Sequence, residues 1–106
     1  MAQRITDTDL RILCERLNKL TGSPMEPYAP WVEGQPNRGR AQVGNFHISH
    51  SYGGVCLHRM SNTSGGVSTP IGGGHVPKRE LWDRMHAFID GIEFTQRQAA
   101  ADAKGE

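Results

Sequence analysis

The residues best suited to chemistry lie between Gly65 and Trp82, in the stretch GGVSTPIGGGHVPKRELW. Unpaired backbone N–H groups and a helix N-terminus both attract anions, and glycine lets a ligand approach the backbone closely. Gly72, Gly73 and Gly74 would supply such amides, Ser68 and Thr69 hydroxyl donors, His75 a ring donor, and Lys78 and Arg79 charge. Neither established phosphate motif is present. The P-loop spacing is absent, and no G-x-G-x-x-G follows a strand. The competing reading is turn chemistry alone, with the glycines reversing the chain ahead of a helix. Lys78 and Arg79 oppose the dipole of that helix, a small cost that a bound anion would offset. No Asp or Glu occurs between Gly34 and Arg79. A carboxylate-free region lacks the paired acids of general acid–base catalysis, so it points to binding an anion rather than hydrolysing one.

Five histidines are present: His47, His50, His58, His75 and His86. His47, His58 and Cys56 could share a strand face, but no C-x-x-C or zinc-type His spacing accompanies them. A Cys–His nucleophile pair would need an activated thiolate, for which the sequence gives little support. The expectation is a non-enzymatic protein without metal or cofactor. Tyr52 and Trp31 are the aromatics placed to contact a ribose or base, though Trp31 and Tyr28 fit equally well as anchors holding a loop on the sheet.

These residues need elements to carry them. TDTDLRILCERLNKLTG reads as a first helix, capped by Thr6 or Thr8 and ended by Gly22, with Leu10, Leu13, Cys14, Leu17 and Leu20 on one stripe. Residues 23–40 carry four prolines and no period, which predicts a long extended loop. AQVGNFHISHSYGGVCLHRMS reads as a hairpin turning near Tyr52-Gly53-Gly54. Phe46, Ile48, Val55 and Leu57 then meet the helices, while Asn45, His47, Ser49, Cys56 and His58 take the other face. With Tyr52-Gly53 as the turn, His47 stands opposite His58. A short third strand is expected around residues 67–71, limited by Pro70. Pro77 opens the second helix at its first position, and Leu81, Trp82, Met85, Phe88, Ile89 and Ile92 form its apolar stripe. Phe94 falls off that stripe, marking either the helix end or a contact with a partner.

The expected fold is therefore α+β, in the order α-β-β-β-α, a small antiparallel sheet with two helices on one face. Residues 1–94 form one domain and 95–106 a polar tail that either extends the last helix or frays. At 106 residues the chain suits a single domain, and its 36% apolar content implies a thin core and a homo-oligomer. A formal charge of +1 supplies no global attraction to nucleic acid or membrane. Two unpatterned cysteines, with no apolar N-terminal run and no long apolar span, suit reduced thiols and a cytoplasmic location.

The segments GNFHISHSYGGVCLHRM and GGGHVPKRELWDRMHAFIDGI resemble a family of small proteins encoded by tailed bacteriophages and prophages. Its Gly-Asn-aromatic-His strand, Tyr-Gly-Gly turn and Gly-His-x-Pro-x-Arg-Glu-Leu helix start match Gly44–His47, Tyr52–Gly54 and Gly74–Leu81 here. The resemblance covers about residues 14–93 and implies expression inside an infected bacterium. For proteins of this class it implies action against host defence. One route is sequestering a small anionic nucleotide-type signal; another is inhibiting a host defence protein by direct contact. A third reading, a double-stranded nucleic-acid-binding module, rests on the similar element order and the basic start of the last helix. The near-neutral charge and the Pro-rich insertion weigh against it.

Overall fold

The computed structural model describes residues 4–30, 33–34 and 39–104. It has the order α1 (Asp7–Thr21), β1 (Phe46–Ser51), β2 (Gly54–Met60), β3 (Val67–Ser68) and α2 (Lys78–Lys104). The three strands form one antiparallel sheet in the order β1-β2-β3, and both helices pack on the same face.

Thr6 starts α1 through a reciprocal capping box. Its hydroxyl accepts from the Asp9 N–H at 3.2 Å, and its own N–H donates to the Asp9 carboxylate at 2.9 Å. Gly22 ends the helix in the left-handed conformation that glycine adopts without strain. The expected stripe buries Leu10, Leu13, Cys14 and Leu17, which pack with Phe46, Val55, Leu57, Leu81, Met85 and Ile89 in one core. Cys14 is thus a packing residue. Burial, with a smaller contribution from Glu15, pushes its thiol up to about 12.

The hairpin has the expected turn and register: His47 pairs with His58, Ile48 with Leu57 and Ser49 with Cys56. Phe46, Ile48, Val55 and Leu57 accordingly join the core on the helix side. Asn18 ties α1 to the end of β1. Its side-chain amide accepts from the Phe46 N–H at 2.7 Å and donates to the Phe46 carbonyl at 3.0 Å.

Two boundaries differ from expectation. β3 stops at Ser68 instead of running on toward Ile71. The chain leaves the sheet edge at Thr69, ahead of a proline that cannot donate to the ladder. Ile71 turns in against the core, and the strand edge resumes at Val76, which exchanges two backbone hydrogen bonds with Val55 at 2.8 and 2.9 Å. At α2, the Pro77 carbonyl accepts the first helical bond, from Leu81 N–H at 3.1 Å. Pro77 is therefore the cap, and Lys78 the first helical residue. Of the two courses open to the tail, α2 takes the first, running unbroken through Phe94 to Lys104. Its last link to the body is the Gln96 side chain donating to the Leu20 carbonyl at 3.0 Å, and Phe94 is 59% exposed.

The Pro-rich segment is ordered by local pairing where it is described. Tyr28 bridges Ala41, with Ala29 donating to Arg40 and Gln42 to Pro27, both at 2.8 Å. The Asn45 side chain donates to the Pro24 carbonyl at 2.8 Å, which draws this segment to the Met60 end of the sheet, where Ala41, Asn45 and Met60 are all buried.

Candidate functional site: a histidine face

The hairpin register sends His47, Ser49, Cys56 and His58 to the sheet face opposite the helices. His75, from the segment leading into α2, joins them. Its Nε2 lies 3.2 Å from Ser49 Oγ, and its ring sits 6.2 Å, centroid to centroid, from both His58 and Tyr52. His47 and His58 contact edge to face at 5.8 Å. Three imidazoles, a hydroxyl and a phenol ring thus form a continuous row across the sheet.

Gly54 makes that row possible. A Cβ built there would lie 3.0 Å from both the N and O atoms of Val76, and 3.1 Å from the His75 carbonyl carbon. Only a residue without a side chain lets the Val76 segment close on the edge of β2 and carry His75 over the hairpin. Tyr52 is held differently. With φ 53° and the following Gly53 at φ 74°, it occupies the first position of a tight hairpin turn that favours Asn, Asp or Gly. A tyrosine in left-handed backbone is strained, and this one is 97% exposed, so burial repays none of that cost.

The electrostatics are those of a weakly basic face. Every residue of the row comes from the segment that lacks Asp and Glu. Burial, and secondarily His58, pushes the His47 pKa below its ordinary 6.5; burial, and secondarily His75, does the same for His58. The Asn45 side-chain oxygen lies 3.0 Å from His47 Nδ1 and fixes the orientation of that ring. Near neutral pH His47 and His58 are therefore held as neutral imidazoles, each able to donate and accept a hydrogen bond. Cys56 lies beneath the row but is only 2% exposed, and burial raises its thiol pKa, the opposite of an activated nucleophile. Both cysteines are unbridged. Among the described residues, no group of three His, Cys, Asp or Glu side chains is placed to hold a metal ion.

Of the residues singled out in the sequence, His47, His58, His75 and Tyr52 converge. Others do not. Lys78 turns to the helix side, where its Nζ lies 3.2 Å from Asp7, a carboxylate also 3.0 Å from His50. Arg79 lies over the Trp82 ring at 5.5 Å. Ser68 pairs with Arg59, which the alternation places on the helix side of the sheet. Gly72, Gly73 and Gly74 all take positive φ (62°, 83° and 65°) in a turn that the Thr69 carbonyl closes by accepting from Gly72 N–H at 3.0 Å. The basic group that meets these glycines is Arg84, whose guanidinium occupies the space a Gly73 side chain would need and pairs with Glu80. Helical spacing puts Lys78 and Arg84 about 120° apart around α2. Trp31 lies outside the described residues.

Two contacts were not singled out: Ser49 with His75 in the row, and Arg84 with the glycine turn. The hairpin alternation already placed Ser49 beside His47, but its contact with His75 is set by the close approach at Gly54. Arg84 is seven residues beyond Pro77, and only the flank taken by the glycine turn brings the two together.

Among the described residues, no helix is long and apolar enough to cross a membrane. Comparisons with protein-family models, curated proteins and solved structures return no match to this chain.

Proposed function

We propose that this chain is a non-enzymatic binding protein that sequesters a small anionic, nucleotide-type molecule on the His47–His58–His75 face, as a phage accessory factor acting against host defence in the cytoplasm of an infected bacterium. The observation that carries this reading is the row itself: three imidazoles, Ser49 and an exposed, strained Tyr52 on a sheet face built without a carboxylate. A phosphate would accept hydrogen bonds from His58, His75 and Ser49. Tyr52 would stack on a base, which repays the cost of holding an aromatic at the turn. Lys78, Arg79 and Ser68 stand outside this site. The buried thiol of Cys56 and the missing carboxylates favour capture over turnover. The setting in phage infection rests on the motif resemblance.

Isothermal titration of the protein with cyclic dinucleotides and cyclic ADP-ribose isomers, at pH 6.0 and 7.5, tests the reading. Binding should be micromolar or tighter, stronger at the lower pH, and lost in His58→Ala. No heat with any of these at micromolar protein would reject it.

A further inference from the structure

A concave feature lies along the edge of β1. In β2, Val55 bonds outward to Val76, so the odd-numbered residues of β2 face the β3 side and the even-numbered ones face β1. Across the register, His47, Ser49 and Ser51 of β1 bond to β2, and the N–H and C=O groups of Phe46, Ile48 and His50 point away from the sheet. Asn18 satisfies Phe46 with a side-chain amide in the place of a neighbouring strand's peptide group. Ile48 and His50 have no such substitute among the described residues. β1 also lacks the proline, lysine or bulge that usually protects an edge strand.

This edge lies in a groove of about 390 Å³ between α1 and the segment Met25–Pro27, with Cys14, Met25, Pro27, Phe46 and Ile48 as its apolar lining. Its rim holds the carboxylates of Asp7, Glu15 and Glu26 against the single guanidinium of Arg11, which pairs with Glu15. Asp7 is answered by His50 and Lys78. Glu26 has no ion-pair partner among the described residues.

We infer that this groove takes an extended peptide segment of a partner protein as a fourth strand beside β1. The segment alternates apolar side chains, turned toward Met25 and Phe46, with a lysine or arginine that meets Glu26. Main-chain bonds to Ile48 and His50 give affinity, and the apolar lining gives register. A second copy of this chain fits less well. It would set the same excess of carboxylates, Asp7, Glu15 and Glu26, against itself instead of supplying a cation to Glu26. A single extended strand enters without that conflict. His47 borders both the groove and the histidine row, but the inference rests on the outward-pointing N–H and C=O groups of Ile48 and His50 and so does not depend on ligand binding by the row.

The test is selection of a displayed random-heptapeptide library against the full-length protein, followed by amide hydrogen exchange with the selected peptides. The expected result is a pool with apolar residues at alternate positions, at least one Lys or Arg, and no central proline. Those peptides should slow exchange at Ile48 and His50 by tenfold or more. Met25→Trp, which fills the groove from an exposed position, should abolish protection, while Tyr52→Asn should leave it intact. Three results would overturn the inference: a pool without the alternation, protection elsewhere on the chain, or protection of Ile48 and His50 that grows with protein concentration in the absence of peptide, which would assign the edge to a second copy.

Discussion

Tyr52→Asn separates stability from function. Left-handed backbone costs an ordinary L-residue about 1–2 kcal/mol, and Asn is among the side chains that bear it best. Tyr52 adopts φ 53° ahead of Gly53, so the substitution creates Asn-Gly, a favoured pair for this turn. Against the relief stands the lost edge contact with His75 at 6.2 Å, of a kind worth about 0.5–1.5 kcal/mol when buried. With the ring 97% exposed, that loss lies at or below the bottom of the range. The net expectation is a gain of about 0.5–1 kcal/mol, or a rise in Tm of about 2–8 °C for a domain of this size. Urea denaturation should show the same gain as a higher midpoint at constant slope. The same variant should bind nucleotide-type ligands at least tenfold more weakly. A lower Tm, or unchanged binding, would refute the reasoning that Tyr52 is kept at this turn for contact with a ligand.

Gly54→Ala should destabilise the fold by about 1–3 kcal/mol, as overpacking does, because the Val76 backbone would have to retreat from β2. Chemical shifts of His75 and Ser49 should move in the same variant, which a purely global effect would not produce. Asn18→Ala leaves the Phe46 N–H and C=O buried without partners, and chemical denaturation should register a loss of about 2–4 kcal/mol. The pH dependence follows from His47 and His58. Their folded pKa values lie below the ordinary 6.5, so the unfolded chain binds protons more readily; the contribution of this pair is fully present above 6.5 and declines as pH falls below it. Urea midpoints measured from pH 7.5 to 5.0 should fall on the acid side, and His47→Ala/His58→Ala should flatten that fall.

The sequence made the hairpin legible because two independent signals agreed: strict alternation of apolar residues, and a Tyr-Gly-Gly turn that sets the register. That agreement placed His47 opposite His58. The α1 stripe and its Thr6 start were equally plain, since capping and periodicity are local properties. What could not be read was the course of the Thr69–Val76 excursion. Its three consecutive glycines signal a reversal without stating its direction, and the anchoring contacts of Ile71 and Val76 are tertiary. Hence Lys78, close to the glycines in sequence, turns toward α1 and Arg79 lies over Trp82, while Arg84, one and a half turns further along α2, meets Gly73. The deduction of a carboxylate-free site holds for the sheet face but not for the glycine turn, where Glu80 accompanies Arg84. The end of α2 was also obscure. Phe94 leaves the apolar stripe because the helix has by then passed most of the body, and a helix with strong local propensity continues without a core beneath it.

The central claim is that the imidazole row holds an anion, and the direct measurement is an NMR pH titration of the histidine side chains with and without a cyclic dinucleotide. A phosphate held at His58 should raise the pKa values of His58 and, through its negative charge, of the neighbouring His47, and shift the Tyr52 and His75 resonances, leaving those of His50 and His86 in place. Unchanged titration curves for His47 and His58 at saturating ligand, or equal movement at His50 and His86, would contradict it.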